Sequence, residues 1–144
     1  MSILSAASGA SVWRGYEYYT QKKVVSLKKL SDDEYEGRVS GASSSAYQVR
    51  INIAHTRQSK CDCPHANGTR VICKHMVALY FEAFPTEAKK YIKEVEAYEQ
   101  EEEKRAEEHY RELERYIKGL SKKELQEQLL QALIEREDRE KQYW

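Results

Sequence analysis

The sequence lacks the features that mark membrane, secreted and disulfide-linked proteins. None of its 144 residues belongs to a run approaching the roughly 20 consecutive apolar residues that span a bilayer. Residues 1–10 contain no basic side chain, and their apolar run is too short for a secretory signal. We therefore expect a cytoplasmic protein with no membrane partner. In that reducing compartment, three cysteines within thirteen residues favour metal binding over a disulfide framework.

Signatures of catalysis are missing as well. The chain has no phosphate-binding loop, no nucleophile elbow and no paired-carboxylate site. Its acidic runs, such as residues 101–103, are typical of a solvated helix. We therefore expect a protein that is not an enzyme and has no small-molecule substrate.

Charge is distributed unevenly along the chain, although the formal net charge is zero. Residues 1–85 carry 11 Lys/Arg against 7 Asp/Glu, whereas residues 86–144 carry 13 against 17. A basic surface interleaved with tyrosines can contact phosphates and stack on bases. The candidate nucleic-acid contacts are Lys22, Lys23, Lys28, Lys29, Arg38, Arg50, Arg57, Lys60, Arg70 and Lys74.

The first 85 residues predict a small α+β domain. Trp13, Tyr16 and Tyr19 have the spacing of one helical face, and we expect them to pack in a core. Three β-like runs follow at residues 24–30, 34–40 and 47–53; the last alternates apolar and polar residues. Turn-forming residues separate the runs, which favours an antiparallel β-meander. Residues 76–84 then predict a buried helix that Pro85 ends.

Residues 86–144 predict a charged helical extension. A long helix over residues 86–119 has apolar residues at both ends, which we expect to pack, and a solvated middle. Gly119 offers a helix stop, and Ser121 with Glu124 forms a capping box for a last helix. The expected buried stripe of that helix comprises Leu125, Leu129, Leu130, Leu133 and Ile134.

Four side chains in residues 61–75 predict a structural zinc site. Cys61 and Cys63 precede a chain turn at Pro64, and a loop then returns the chain to Cys73 and His75. Residues two positions apart in a helix point about 200° away from each other, so both cannot reach the same metal ion from within one helix. Cys73 should therefore precede the helix, and His75 should lie in its first turn. Four protein ligands leave no open position, which is typical of a structural zinc ion.

Other interpretations of the same residues remain open at this point. They are a Cys61–Cys63 disulfide, a catalytic Cys73–His75 pair, inert buried cysteines and an iron–sulfur cluster. His65 is the alternative fourth ligand, although it would crowd three donors into five residues.

The segment Cys61-x-Cys63-Pro64, a loop and Cys73-x-His75 resembles a SWIM zinc finger, the CxCx(n)CxH family. Members occur in bacterial proteins, Swi/Snf-type ATPases and Mutator-type plant transposases. Arg14-Gly15-x-x-Tyr18-Tyr19 and the 47–53 strand are similar to bacterial members. The resemblance implies one Zn²⁺ on Cys61, Cys63, Cys73 and His75. It also implies either nucleic-acid binding, with DNA as the expected partner, or contact with a protein such as a Swi/Snf-type ATPase.

Overall fold

The protein is described by a computed structural model that covers residues 2–42 and 44–143. Two compact units divide the chain, Met1–Glu94 and Val95–Trp144. The first contains helices α1 (Ile3–Ala6) and α2 (Gly9–Thr20), a four-stranded sheet, helix α3 (Lys74–Ala83) and the start of α4 (Pro85–Lys118). The second contains the rest of α4 and helix α5 (Lys122–Gln142). The predicted α+β class is confirmed. No helix in the described part of the chain is long and apolar enough to cross a membrane.

The sheet is an antiparallel meander in the order β1-β2-β3-β4. Its strands are β1 (Val24–Lys29), β2 (Glu34–Val39), β3 (Tyr47–Asn52) and β4 (Lys60–Cys61). The first three agree with the predicted runs to within a residue at each end, whereas β4 was not predicted. It pairs Cys61 with Val49 and thereby fixes the first zinc ligand to the sheet.

Helix α3 is the centre of the core. Met76, Val77, Ala78, Leu79 and Phe81 are all fully buried. Leu79 packs directly on the sheet, because a Cβ atom added to Gly37 in β2 would lie 2.6 Å from Leu79 Cδ1. The other side of α3 packs against α2 at Gly15. Helix α3 ends at Ala83 with Phe84 as its C-cap, and α4 begins at Pro85, as the fixed φ angle of proline favours.

The aromatic face of α2 is confirmed. The rings of Trp13 and Tyr16 lie 6.0 Å apart, and those of Tyr16 and Tyr19 lie 6.3 Å apart. Tyr16 meets Phe81 of α3 edge-on at 5.9 Å and also packs on Tyr91 of α4. Trp13 is the exception, since 41% of it stays exposed.

The prediction of a buried stripe in the last helix is wrong. Its capping box forms as expected, with the Ser121 hydroxyl accepting the N–H of Glu124. However, α5 has no buried residue, and Leu125, Leu129, Leu130, Leu133 and Ile134 are between 37% and 61% exposed. The C-terminal end of α4 is likewise not packed, because Leu113 and Tyr116 are exposed. The reason is that no described element covers these side chains.

Candidate metal centre

Four buried side chains from the strand, the loop and the helix converge on one point. The candidate ligand atoms of Cys61, Cys63, Cys73 and His75 all lie within 4.8 Å of one another. The Nδ1 atom of His75 is 3.8 Å from the sulfurs of both Cys61 and Cys73. A tetrahedral zinc ion would separate bound nitrogen and sulfur by about 3.6 Å, given Zn–S near 2.3 Å and Zn–N near 2.0–2.1 Å. The four residues therefore fit one zinc ion, with Nδ1 as the imidazole ligand.

The connection from β3 to β4 positions Cys61 at the metal site. Asn52 is buried, and its side-chain oxygen accepts the N–H groups of Ala54 at 3.0 Å and His55 at 2.7 Å. Its own N–H donates to the Ser59 hydroxyl at 3.0 Å. These bonds turn the chain back so that Cys61 pairs with Val49.

Two hydrogen bonds hold the segment between the first two ligands. The N–H of Gln48 donates to the Asp62 carboxylate at 2.9 Å, and the N–H of Asp62 donates to the Gln48 carbonyl at 3.3 Å. Asp62 thus continues the pairing of β3 beyond the end of β4. Cys63 then begins a turn, in which its carbonyl accepts the N–H of Asn67 at 2.9 Å.

The start of α3 positions the second pair of ligands, Cys73 and His75, at the metal site. Cys73 is the N-cap, and His75 is the second residue of the helix, as the spacing argument predicted. The positive end of the helix dipole faces the cluster, whose three thiolates and Zn²⁺ sum to a charge of −1. This electrostatic arrangement stabilises thiolate ligands.

Packing, rather than hydrogen bonding, orients the imidazole of His75. Its ring centroid lies 4.7 Å from that of Tyr47 and 5.6 Å from that of Tyr18. The Nε2 atom is buried and hydrogen-bonds to no described residue. The backbone at Gly41 closes the pocket, because an added Cβ there would lie 2.3 Å from the Tyr47 ring and 3.3 Å from His75 Nε2. Sequence reasoning identified both tyrosines but not this role, since nothing in their spacing relates them to residue 75.

The metal-free thiols differ in acidity because they interact with each other. The pKa of Cys73 is lowered to about 4, mainly by the hydrogen bond from the Cys61 thiol. His75 and the backbone N–H of Met76 lower it further, against the effect of burial. The pKa of Cys61 is correspondingly raised, first by the hydrogen bond to Cys73 and then by burial. Cys73 is therefore a thiolate at neutral pH before any metal binds.

The alternative fourth ligand lies outside the cluster. His65 is exposed and lines a cleft of about 280 Å³ next to the ligands, together with Ser11, Arg14 and Lys74. The three cysteines are free, so the structure contains no disulfide among them.

The predicted nucleic-acid contacts fall into two sets. Most are exposed, namely Lys22, Lys28, Lys29, Arg38, Arg50, Arg57, Lys60 and Arg70. Two of these already have acidic partners: Arg50 pairs with Glu34, and Lys29 pairs with Asp32 at 3.4 Å. Lys23 and Lys74 are half-buried beside Tyr18. Arg14, next to the metal cluster, was not among the predicted contacts.

The fold and the closed Cys₃His set define a structural zinc-binding module. Residues 47–83 match the family model of the SWIM zinc finger. The match runs from the first residue of β3 to the last of α3 and contains all four ligands. The chain therefore contains a SWIM zinc finger. No curated protein and no solved structure matches it significantly.

Proposed function

We propose that the zinc-containing unit binds nucleic acid through a cationic surface beside the metal site. The observation that carries this proposal is the convergence of two lysines on one tyrosine. Lys23 Nζ lies 4.2 Å from the centroid of the Tyr18 ring, and Lys74 Nζ lies 4.9 Å from it. The same ring contacts the zinc ligand His75. Residues 51 positions apart thus form one cationic site.

The end of α2 explains how Lys23 reaches this position. Lys22 adopts a left-handed conformation with φ 57°. The N–H of Lys22 donates to the Tyr19 carbonyl at 3.1 Å, and the N–H of Lys23 donates to the Tyr18 carbonyl at 3.0 Å. This is a Schellman motif, which turns the chain back over the last helical turn. The turn places the Lys23 ammonium near the Tyr18 ring.

The charge around the metal favours an anionic ligand. Arg14 adds a third cation, in the cleft that Lys74 also lines. Within residues 2–42 and 44–143, Arg14, Lys23 and Lys74 form no ion pair with an acidic side chain. Three cations exceed the single negative charge of a zinc ion with three thiolates. Phosphate groups of nucleic acid are ligands for such a surface, and duplex DNA is the expected partner.

Salt-dependent binding to duplex DNA tests the proposal. The logarithm of the binding constant should fall linearly with the logarithm of the salt concentration, because protein cations that contact phosphates release counterions from the DNA. The double variant Lys23→Ala/Lys74→Ala should weaken binding and reduce the slope by about 2. The control is Lys89→Ala/Lys90→Ala, which removes the same charge from two exposed residues of α4. Absent binding, or equal loss in both variants, would reject the proposal.

The zinc ion has a structural role in this proposal. With four protein ligands it has no position for a substrate or a reactive water, so we propose a module without catalytic activity. We also propose that the protein works in the cytoplasm, where a reducing environment keeps its free thiols available to zinc.

A second candidate function is protein interaction through the helices of residues 95–144. The exposed leucines of α5 favour it, since an uncovered apolar face often marks a binding surface. The family resemblance suggests a larger partner such as a Swi/Snf-type ATPase. Capture of such a partner by the wild-type chain, lost with Leu129→Asp, tests this function. Equal capture by both chains would count against it.

A further inference from the structure

The helices of residues 95–144 leave a large apolar surface uncovered. Eight large side chains in the C-terminal part of α4 and in α5 are between 37% and 61% exposed. They are Leu113, Tyr116, Ile117, Leu125, Leu129, Leu130, Leu133 and Ile134. Helices gain most of their stability in water from packing of an apolar face. The 21 residues of α5 contain no buried side chain, so this helix lacks that packing within one chain.

The uncovered side chains form two adjoining surfaces on α5, which meet where Leu129 and Leu133 lie four residues apart on one helical face. The first is an apolar groove of about 430 Å³, and Leu113, Ile117, Leu120, Leu125 and Leu129 line it. The second is a ridge of Leu130, Leu133 and Ile134, none of which lines the groove. Leu130 lies about 140° around the helix from Leu125, at 100° per residue. One unit therefore exposes both an apolar groove and an apolar ridge.

The charges that flank the ridge are self-complementary. Residues 128–134 contain no charged side chain, so the centre of a helix crossing at Leu130 contains no charge. Lys123 and Glu137 each lie seven residues from Leu130, on the same helical face. If two copies of α5 pair in antiparallel orientation about Leu130, Lys123 of each copy faces Glu137 of the other. A second copy thus provides both apolar contact and opposite charge.

We propose that α5 and the C-terminal part of α4 form a homodimer, in which two α5 helices pair in antiparallel orientation about Leu130. The exposed area of the eight side chains is of order 800 Å², taking about 200 Å² for each when fully exposed. A standard stable interface buries about 800 Å² per partner. The area is thus sufficient for a dimer in which the groove and the ridge are both covered. The contact is isologous, as expected of a twofold dimer.

This proposal does not depend on nucleic-acid binding, and it assigns the apolar surface of residues 95–144 to a second copy of the chain in place of a larger partner. The test is sedimentation equilibrium of the full zinc-loaded chain without DNA, across micromolar concentrations. The expected result is a molar mass twice that of the 16.9 kDa chain, with dissociation on dilution. Leu130→Glu should abolish the dimer. Because Leu130 is 60% exposed in the single chain, this change leaves the zinc-containing unit folded, and zinc content verifies that.

Charge reversal tests the antiparallel arrangement itself. Lys123→Glu and Glu137→Lys should each weaken the dimer by roughly tenfold, since each change turns two attractive pairs into repulsive ones. The double variant restores the pairs and should recover the dimer. Lys104→Glu, an exposed control on α4, should leave it unchanged. A chain that stays monomeric, or a dimer that the reversals leave intact, overturns the proposal. DNA binding by a monomer would leave the proposed function standing.

Discussion

Gly15 of α2 and Val77 of α3 lie closer together than any side chain at position 15 would allow. A Cβ atom added to Gly15 would be 2.4 Å from Val77 Cγ1 and 2.9 Å from the Lys74 carbonyl oxygen. The second neighbour is backbone and belongs to the helix that carries His75. This contact therefore links the aromatic helix α2 to the metal site.

Replacing Gly15 with alanine should destabilise the zinc-containing unit. Overpacking of this kind costs about 1–3 kcal/mol, because the backbone at Lys74 must move. Denaturant unfolding measures the change. Gly9→Ala is the matched control, since the added methyl group would meet no described atom within 4 Å beyond its chain neighbours and its own helix backbone, and alanine favours a helix. Equal stability of the two variants would contradict the close packing of α2 on α3.

Removing zinc should destabilise the core around α3. Ligand substitution by Cys73→Ser or His75→Ala should have the same effect, of about 4 kcal/mol or more, because loss of a structural metal ranks among the largest single-site effects. Circular dichroism is dominated by α4 and α5, so hydrogen exchange resolved along β3 and α3 is the sharper measurement. His65→Ala is the control and should retain one zinc per chain. Zinc loss in that variant would make His65 a ligand.

Zinc binding at pH 7 should release fewer than three protons from the cysteines. Metal-bound cysteines are thiolates, so a thiol that holds its proton must lose it. Cys61 has a raised pKa and loses a proton on binding, whereas Cys73, with a pKa lowered to about 4, is already ionised. Affinity therefore rises with pH, and Cys73 contributes to this dependence only below about pH 4. Calorimetry in buffers of different ionisation enthalpy counts the protons, and the ultraviolet absorbance of the metal-free chain detects thiolate directly. A chain without thiolate at pH 7 would exclude an ionised Cys73.

Replacing Lys22 with glycine should stabilise the protein by up to about 1 kcal/mol, because a left-handed conformation strains residues with a Cβ atom. The φ angle of Lys22 is 57°, and the change keeps the motif that positions Lys23. Gln21→Gly is the control, since its φ of −79° gives glycine no advantage. Thermal unfolding compares the two. A lower melting temperature for Lys22→Gly would contradict the strained turn.

The metal site was predictable from the sequence because two local constraints determine it. Two residues that lie two positions apart inside a helix point in nearly opposite directions, so Cys73 and His75 cannot both lie within a helix and bind one metal ion. The structure accordingly places Cys73 at the N-cap. Alternation along residues 47–53 likewise identified Val49 and Ile51 as buried. In both cases, the physical rule involves neighbours in sequence.

The features that were missed depend on distant neighbours or on very short elements. Strand β4 has two residues, too few for any periodicity, and it exists because Asn52 and Ser59 turn the chain. Helix α1 has four residues, although its Ile3 is fully buried. The leucine stripe of α5 was correctly periodic but wrongly assigned to the core, because periodicity identifies an apolar face without showing what covers it.

The metal ion closes a loop between Cys61 and His75, and α3 supplies both the last ligand and the centre of the core. The ion thus acts as a cross-link whose strength depends on mass action. Its contribution to stability grows with the logarithm of the free zinc concentration above the dissociation constant. The folded fraction of this unit, and with it the resistance of the protein to proteolysis, therefore follows the zinc supply of the cell.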